Sequence, residues 1–266
     1  MRKPVTLITG ASSGIGAAFA AVFAENGHAT VLVARRRPEL QAIADTIAAR
    51  GWPRPHVIAL DLGQPDATSR LAHELAVQEL EPAIVVNNAG YGQRGRAAEL
   101  DRARQLSMID LNMRVLTDLS LRFIDSIARH GGGIINVGSI ASFFPGPGQA
   151  VYHASKAYVL SFTDALHQEL APKGVKVTAV CPGPVPTEFH ARAGIAAERM
   201  PRRLVRSAER VAREGYDGFM QGRRLVVTGG ANRLIVTLYR FLPRALVLRL
   251  VEGHQLAAVT AEPPAP

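Results

Sequence analysis

Two hydrophobic periods alternate along most of the chain. Short runs rich in Val, Ile, Leu and Thr occupy residues 5–9, 29–34, 57–60, 83–86, 134–137 and 175–180, with a weaker one at 224–228. Runs this short and this continuously apolar read as strands buried on both faces. Between them, apolar positions recur at helical spacing over 17–26, 39–50, 67–80, 100–130 and 152–170, and Ser207 is placed to N-cap a further helix running to Met220. Strand and helix alternating in this way predict an α/β protein with a doubly wound parallel sheet and three αβα layers. No internal repeat or low-complexity linker interrupts the pattern. Ligands of such sheets bind outside the carboxyl ends of the strands. What stands at those ends therefore carries most of the information about function.

The first strand runs into Thr9-Gly10-Ala11-Ser12-Ser13-Gly14-Ile15-Gly16, and an alanine-rich helix follows, closed by Gly27. A glycine turn opening a helix presents backbone N–H groups at the positive end of the helix dipole, where a pyrophosphate can sit. The spacing is Gly-x-x-x-Gly-x-Gly, not the commoner Gly-x-Gly-x-x-Gly, and a tight turn with no ligand is the plain alternative. The second strand ends in Arg35-Arg36-Arg37, with no acid between Glu25 and Glu39. An acid here would hold a ribose 2′-hydroxyl, whereas arginine accommodates a 2′-phosphate, so the expected cofactor is NADP(H). Were these arginines only a polar cap on the next helix, cofactor choice would stay open. Asp61-Leu62 follows the third strand, Asn87-Asn88-Ala89-Gly90 ends the fourth, Ser139 follows the fifth, and Pro182-Gly183-Pro184-Val185-Pro186-Thr187 follows the sixth.

The residues of greatest chemical interest are Tyr152 and Lys156, four apart and so on one face of a helix. An ammonium beside a phenol favours the phenolate, which would lower the tyrosine's pKa from its usual value of about 10 and make it a general acid or base near neutral pH. Taken alone, Tyr-x-x-x-Lys is also an ordinary surface pair, Asn112 an ordinary helix residue and Ser139 an ordinary turn residue. Their joint presence beside a cofactor turn is what points to catalysis.

The set formed by residues 9–16, 87–90, Asn112, Ser139, Tyr152-x-x-x-Lys156 and 182–187 closely resembles the classical short-chain dehydrogenase/reductases, over about residues 4–230 and with motif order and spacing kept. Within that superfamily the chain looks like bacterial carbonyl reductases related to DltE and, more distantly, like 3-ketoacyl and hydroxysteroid reductases. The resemblance implies a Rossmann fold and an NADP(H)-dependent oxidoreductase that interconverts a ketone or aldehyde with an alcohol. It implies that Tyr152 protonates the carbonyl oxygen as hydride arrives, that Lys156 lowers the tyrosine's pKa and holds the nicotinamide ribose, and that Ser139 stabilises the alkoxide. Asn112 would anchor a water linking Lys156 to solvent. Gly10, Ser12, Ser13, Gly14, Ile15 and Gly16 would surround the phosphates, Arg35 and Arg36 the 2′-phosphate, Asp61 and Leu62 the adenine, and Asn88, Ala89 and Gly90 the adenosine side. Pro182, Gly183, Val185 and Thr187 would border the nicotinamide. Pro186 and the basic tail depart from the shared pattern. Tyr91, Gln93, Phe143, Phe144, Gln149 and Phe189 are candidates for the substrate pocket, and His153 reads as a packing or surface residue. Family habit implies a homodimer or homotetramer through 100–130 and 152–170.

Composition adds limits. The chain has 266 residues, 47% hydrophobic and 20% charged, which suits one globular domain. Its one cysteine, Cys181, rules out an intrachain disulfide and a multi-cysteine metal site, fits a reducing compartment, and leaves the cytoplasm as the expected location. Arg2 and Lys3 precede an apolar run, but Gly10 to Gly16 break it, so it reads as a strand and not as a signal peptide. No stretch of about 18 apolar residues predicts a spanning helix. The net charge of +9 is concentrated at 190–252, with 13 arginines against five acids. A solvated basic face is the expected reading, and without a reading motif or interleaved aromatics nucleic acid is not an expected partner. The expected organisation is a catalytic domain over 1–230, with a lid at about 190–220, followed by a basic amphipathic extension over 231–266. Arg233, Arg240 and Arg244 would share one face of a continuous helix, but Pro243 interrupts it. Packing on the body or pairing with another subunit is expected ahead of peripheral contact with a membrane interface, where it would serve long-chain or steroid-like ketones. A cofactor-sensing scaffold without turnover is the alternative from another class; the complete catalytic set argues against it.

Overall fold

Strand β1 (Lys3–Thr9) alternates its side chains between two apolar layers, Val5 and Leu7 to one and Ile8 to the other, as the period of two requires. A computed structural model of the chain, describing residues 2–188 and 203–256, builds the whole fold around this strand. It is followed by β2 (Thr30–Ala34), β3 (His56–Ala59), β4 (Leu80–Asn87), β5 (Gly133–Val137), β6 (Lys176–Cys181) and β7 (Leu225–Val227). They form a seven-stranded sheet in the order β3-β2-β1-β4-β5-β6-β7, with every pair parallel. This is the Rossmann fold, with its order reversing between β1 and β4, where a crevice opens at the carboxyl ends.

Helices cover both faces. On one, α1 (Gly14–Glu25), α2 (Arg37–Ala48) and α8 (Ala208–Met220) bury Phe19, Phe23, Leu40 and Phe219 against Ile8, Leu32, Val86 and Val180. On the other, α3 (Ala67–Val77), α5 (Leu116–Arg122), α6 (Ile124–Arg129) and α7 (Ala150–Leu170) bury Leu71, Leu119, Ile127 and Leu166 against Val5, Leu7, Val33 and Ile134. Of the lid expected at about 190–220, residues 208–220 form α8, whose Val211, Ala212 and Phe219 belong to the core; residues 189–202 lie outside the described residues.

The helix expected over 100–130 is broken into α4 (Arg102–Ile109), a π-helical turn (Asp110–Val115), α5 and α6, with a non-helical residue at Phe123. The π turn, one residue wider per bond than an α-helix, carries Asn112. After β7 the described residues make two more helices, α9 (Gly230–Tyr239) and α10 (Arg244–Leu256), with Pro243 between them. They are anchored through Asn232, Val236 and Val247. Asn232 Nδ2 donates to Thr228 O at 2.8 Å and to Leu204 O at 3.1 Å.

Candidate active site

The strand ends open into one cavity of about 1000 Å³, the upper end of the range for a small-molecule site. Of the expected residues, Gly10, Ser12, Ser13, Gly14, Ile15, Arg35, Arg36, Asp61, Leu62, Asn88, Ala89, Gly90, Ser139, Tyr152, Lys156, Pro182, Gly183, Val185 and Thr187 line it. Gly16 and Asn112 stand behind its wall. Among the pocket candidates Tyr91, Phe144 and Gln149 reach the cavity and Gln93 and Phe143 do not; Phe189 lies outside the described residues.

The glycine turn is held from behind. Thr9 Oγ1 accepts from the backbone N–H of Asn88 and of Ala89, both at 3.0 Å, and Asn88 Nδ2 donates to Thr9 O at 3.0 Å and Gly10 O at 3.2 Å. The Asn88 side chain thus braces the turn from the cavity wall. Gly16 is required here, because a Cβ would lie 2.4 Å from Gly10 O and 2.6 Å from Asn88 Nδ2. Ser13 precedes α1 in an extended conformation without capping it, so the first-turn N–H groups remain available to an anion. That cradle, with Arg35 and Asp61 on the same cavity, fits a dinucleotide. The two arginines differ: Arg36 pairs with Glu188 at 2.8 Å and Glu39 at 3.3 Å and donates to Ser12 Oγ at 3.2 Å. Arg35 is exposed and has no carboxylate partner among the described residues.

At the other end, α7 presents Tyr152 and Lys156 one turn apart, as the spacing predicts. Lys156 is buried, its Nζ 5.9 Å from the Tyr152 ring centre and donating to Val137 O at 2.8 Å. Ser139 is the polar neighbour that lowers the pKa of Tyr152. Ser139 Oγ accepts from Ala141 N at 3.1 Å, while Ser142 Oγ accepts from Ser139 N at 3.2 Å, a reciprocal box that fixes the serine at the end of β5. The expected acidification of the phenol by Lys156 is not what this geometry gives. Tyr152 is half-buried in the cavity wall, and desolvation there pushes it up to about 12 against the lowering effect of Ser139. Burial also lowers Lys156 to about 8. Desolvation acts on both groups and outweighs an attraction reaching across several ångströms.

Asn112 works as a clamp. Its Oδ1 accepts from Tyr91 N at 3.1 Å, and its Nδ2 donates to Tyr91 O at 3.0 Å and Ser155 Oγ at 3.1 Å. Both amide hydrogens are spent on protein, so within the side chain only Oδ1 keeps capacity for the expected water. Beneath it runs a buried polar ladder that the sequence reading missed. Asn87 Nδ2 donates to Asn136 Oδ1 and Ser120 Oγ at 2.9 Å each, and Asn136 Nδ2 to Thr163 Oγ1 at 3.0 Å, tying β4, β5, α5 and α7 together.

The far wall belongs to the C-terminal helices, through Ile235, Leu250, Val251 and Gln255. Arg94 donates to Gln255 O from Nε at 3.1 Å and Nη2 at 2.8 Å. His153 is buried and bonded on both nitrogens: Nδ1 lies 2.8 Å from Phe144 O, which can only accept, so Nε2 is the acceptor for Gln255 Nε2 at 3.1 Å. Burial lowers its pKa, which keeps the ring neutral. Gln255 thereby straps α10 across the site, a role invisible in the sequence because its partners lie 161 and 102 positions away. Replacing Arg94 by methionine removes charge-assisted bonds worth about 1.5–3 kcal/mol each. Amide hydrogen exchange over 244–256 should then quicken by on the order of tenfold or more, with exchange in β1 and β4 unchanged.

The pattern that defines the short chain dehydrogenase family matches residues 4–197. The chain belongs to this family. It is an oxidoreductase of carbonyl or alcohol groups, and such enzymes use a nicotinamide dinucleotide. Sulfoacetaldehyde reductase 2 of Chromohalobacter salexigens is 37% identical over 188 residues, 70% of this chain and 74% of the relative. A short-chain dehydrogenase from Sphingobium yanoikuyae, solved in complex with NADPH, superposes with a TM-score of 0.77 at 30% identity, over 99% of this chain and 98% of that one. The bulky-bulky ketone specific alcohol dehydrogenase from Comamonas testosteroni does so with a TM-score of 0.74 at 27% identity, over 100% and 97%. The match to both structures takes in the C-terminal helices; the family pattern stops before them.

Proposed function

We propose that this short-chain dehydrogenase is an NADP(H)-dependent reductase of apolar ketones or aldehydes, with Tyr152, Ser139, Lys156 and Asn112 as its working set. The observation that carries the reading is that Ser139, Tyr152 and Lys156 face the same cavity as the uncapped start of α1 and Arg35. Bound dinucleotide supplies or takes the hydride. Tyr152, which keeps its proton to about pH 12, delivers that proton to the carbonyl oxygen. Ser139 Oγ, fixed by the Ala141 N–H, directs its own hydrogen at the same oxygen. Lys156, brought to about 8, exchanges protons near neutral pH at the inner end of the site. Asn112 positions this machinery by tying the segment after β4 to α7 through Ser155. Ile140, Phe144, Leu204, Ile235 and Leu250 give the substrate end an apolar lining, and Arg94 there is already engaged with Gln255. That favours a bulky ketone over a sulfonated aldehyde. The same reading keeps the kinship with DltE-related carbonyl reductases and a homodimer or homotetramer contact through 100–130 and 152–170, where Leu106, Ile109 and Leu121 are exposed.

NADPH oxidation over a panel of bulky ketones and a sulfonated aldehyde tests the reading. Tight NADPH binding with no turnover on any carbonyl would replace it with a cofactor-sensing role. Arg35 is the residue placed to discriminate the 2′-phosphate, since the Arg36 charge is shared with two carboxylates. Arg35→Ala should lower kcat/KM for NADPH relative to NADH by on the order of tenfold to a hundredfold, the value of one charge-assisted contact. An unchanged ratio would move that role to Arg36.

A further inference from the structure

The α9–α10 hairpin faces two ways. Ile235, Leu250 and Val251 line the cavity, and the remainder of the hairpin stands out from the body with its apolar residues uncovered. Leu234 is 58% exposed, Leu238 53% and Phe241 80%, with Leu242 and Leu246 more than 40% exposed. Elsewhere among the described residues, exposed large hydrophobics occur singly or in small groups. The turn itself reads Arg240-Phe241-Leu242-Pro243-Arg244, two apolar side chains between two arginines.

The charge of the hairpin is lopsided, four arginines against one acid, Glu252 late in α10. No acid occurs from Gly218 to Val251, and Arg233, Arg240, Arg244 and Arg249 form no ion pair among the described residues. A second copy docking here about a twofold axis would bring the same unpaired arginines against one another, a like-charge contact. An anionic bilayer is complementary in both respects: its acyl boundary accepts Phe241 and the leucines, and its headgroups accept guanidinium groups on long stems. No described helix is long and apolar enough to cross a membrane, so the contact is interfacial.

We propose that the α9–α10 hairpin docks this protein on an anionic lipid surface, with Phe241 and Leu242 entering the headgroup boundary. The hairpin is also the far wall of the cavity, so docking sets the substrate end of the site beside the bilayer. If the reductase reading holds, lipid-dissolved carbonyl compounds are the substrates this arrangement admits.

Vesicle flotation of the full chain tests the docking without reference to turnover. The protein should float with vesicles of phosphatidylcholine mixed with phosphatidylglycerol, stay down with pure phosphatidylcholine, and be released by high salt. Leu238→Ser, Phe241→Ser and Leu242→Ser combined should remove flotation, with circular dichroism and thermal midpoint checking that the fold persists. Arg240→Ala with Arg244→Ala should weaken binding on the order of tenfold or more. Three results would overturn the proposal: no flotation of the parent, flotation unaffected by the triple substitution, or equal flotation on pure phosphatidylcholine. So would light scattering that finds a dimer which the triple substitution turns into a monomer, because a second copy would then be the occupant.

Discussion

Tyr152→Phe is expected to lower kcat/KM for a ketone by a factor on the order of 10²–10⁴ while leaving the NADPH dissociation constant within about twofold. The phenylalanine ring keeps the edge contact with His153 and the distance to Lys156; only the hydroxyl is lost. That hydroxyl neighbours Ser139 and, in the proposed mechanism, is the donor that neutralises the carbonyl oxygen. Its proton is held tightly, which suits a group that gives it up only to a forming alkoxide. Steady-state kinetics with cofactor fluorescence titration measure both halves. Full activity in the variant would end the mechanism; lost cofactor binding would show instead that the hydroxyl holds the dinucleotide.

The strand ends that form the site were legible because parallel strands buried on both faces leave little freedom. A run such as 134–137 can only be central, and the residue after it must face the crevice. The remaining features leave no such trace, because their signals are either very local or spread far apart along the chain. Leu80 fits the helical pattern of 67–80 but begins β4, because the chain turns at Glu79 with a left-handed φ of 55° and no glycine marks the place. The π turn at Asn112 shifts the ladder by one residue, a change too small to disturb apolar periodicity across 100–130. The strap from Arg94 and His153 to Gln255 depends on where α10 ends in space, and no spacing along the chain records it.

The pKa directions at the site also went beyond the sequence, since Tyr-x-x-x-Lys spacing reports neighbours and not burial. Here burial of both groups decides, and it makes Lys156 a cost to the fold. With Lys156 at about 8 folded and about 10.5 unfolded, the unfolded chain binds more protons between those values, so this group's contribution to stability rises with pH across that window. Below it the penalty is complete, roughly 3 kcal/mol. Two neighbours act oppositely. Cys181, pushed by burial from 9.0 up to about 12, and Tyr152, pushed from 10.0 to about 12, retain protons in the folded state, so their contributions fall as pH rises through those windows. The parent protein should therefore gain stability only from about pH 8 to 9 and lose it above 10. Lys156→Met removes the lysine's share alone. At neutral pH it should unfold at higher denaturant, by up to roughly 3 kcal/mol less about 1–3 kcal/mol for leaving Val137 O without its donor. Its advantage over the parent should shrink by roughly 3 kcal/mol as pH rises from 8 to 10.5. Carbonyl reduction should fall by a factor on the order of 10² or more, a stability gain set against function. Denaturant titrations of the two proteins across pH 7 to about 10.5 give the difference directly. A gap that stays constant with pH would mean that Lys156 keeps its charge in the folded chain across this range, and that burial does not lower its pKa.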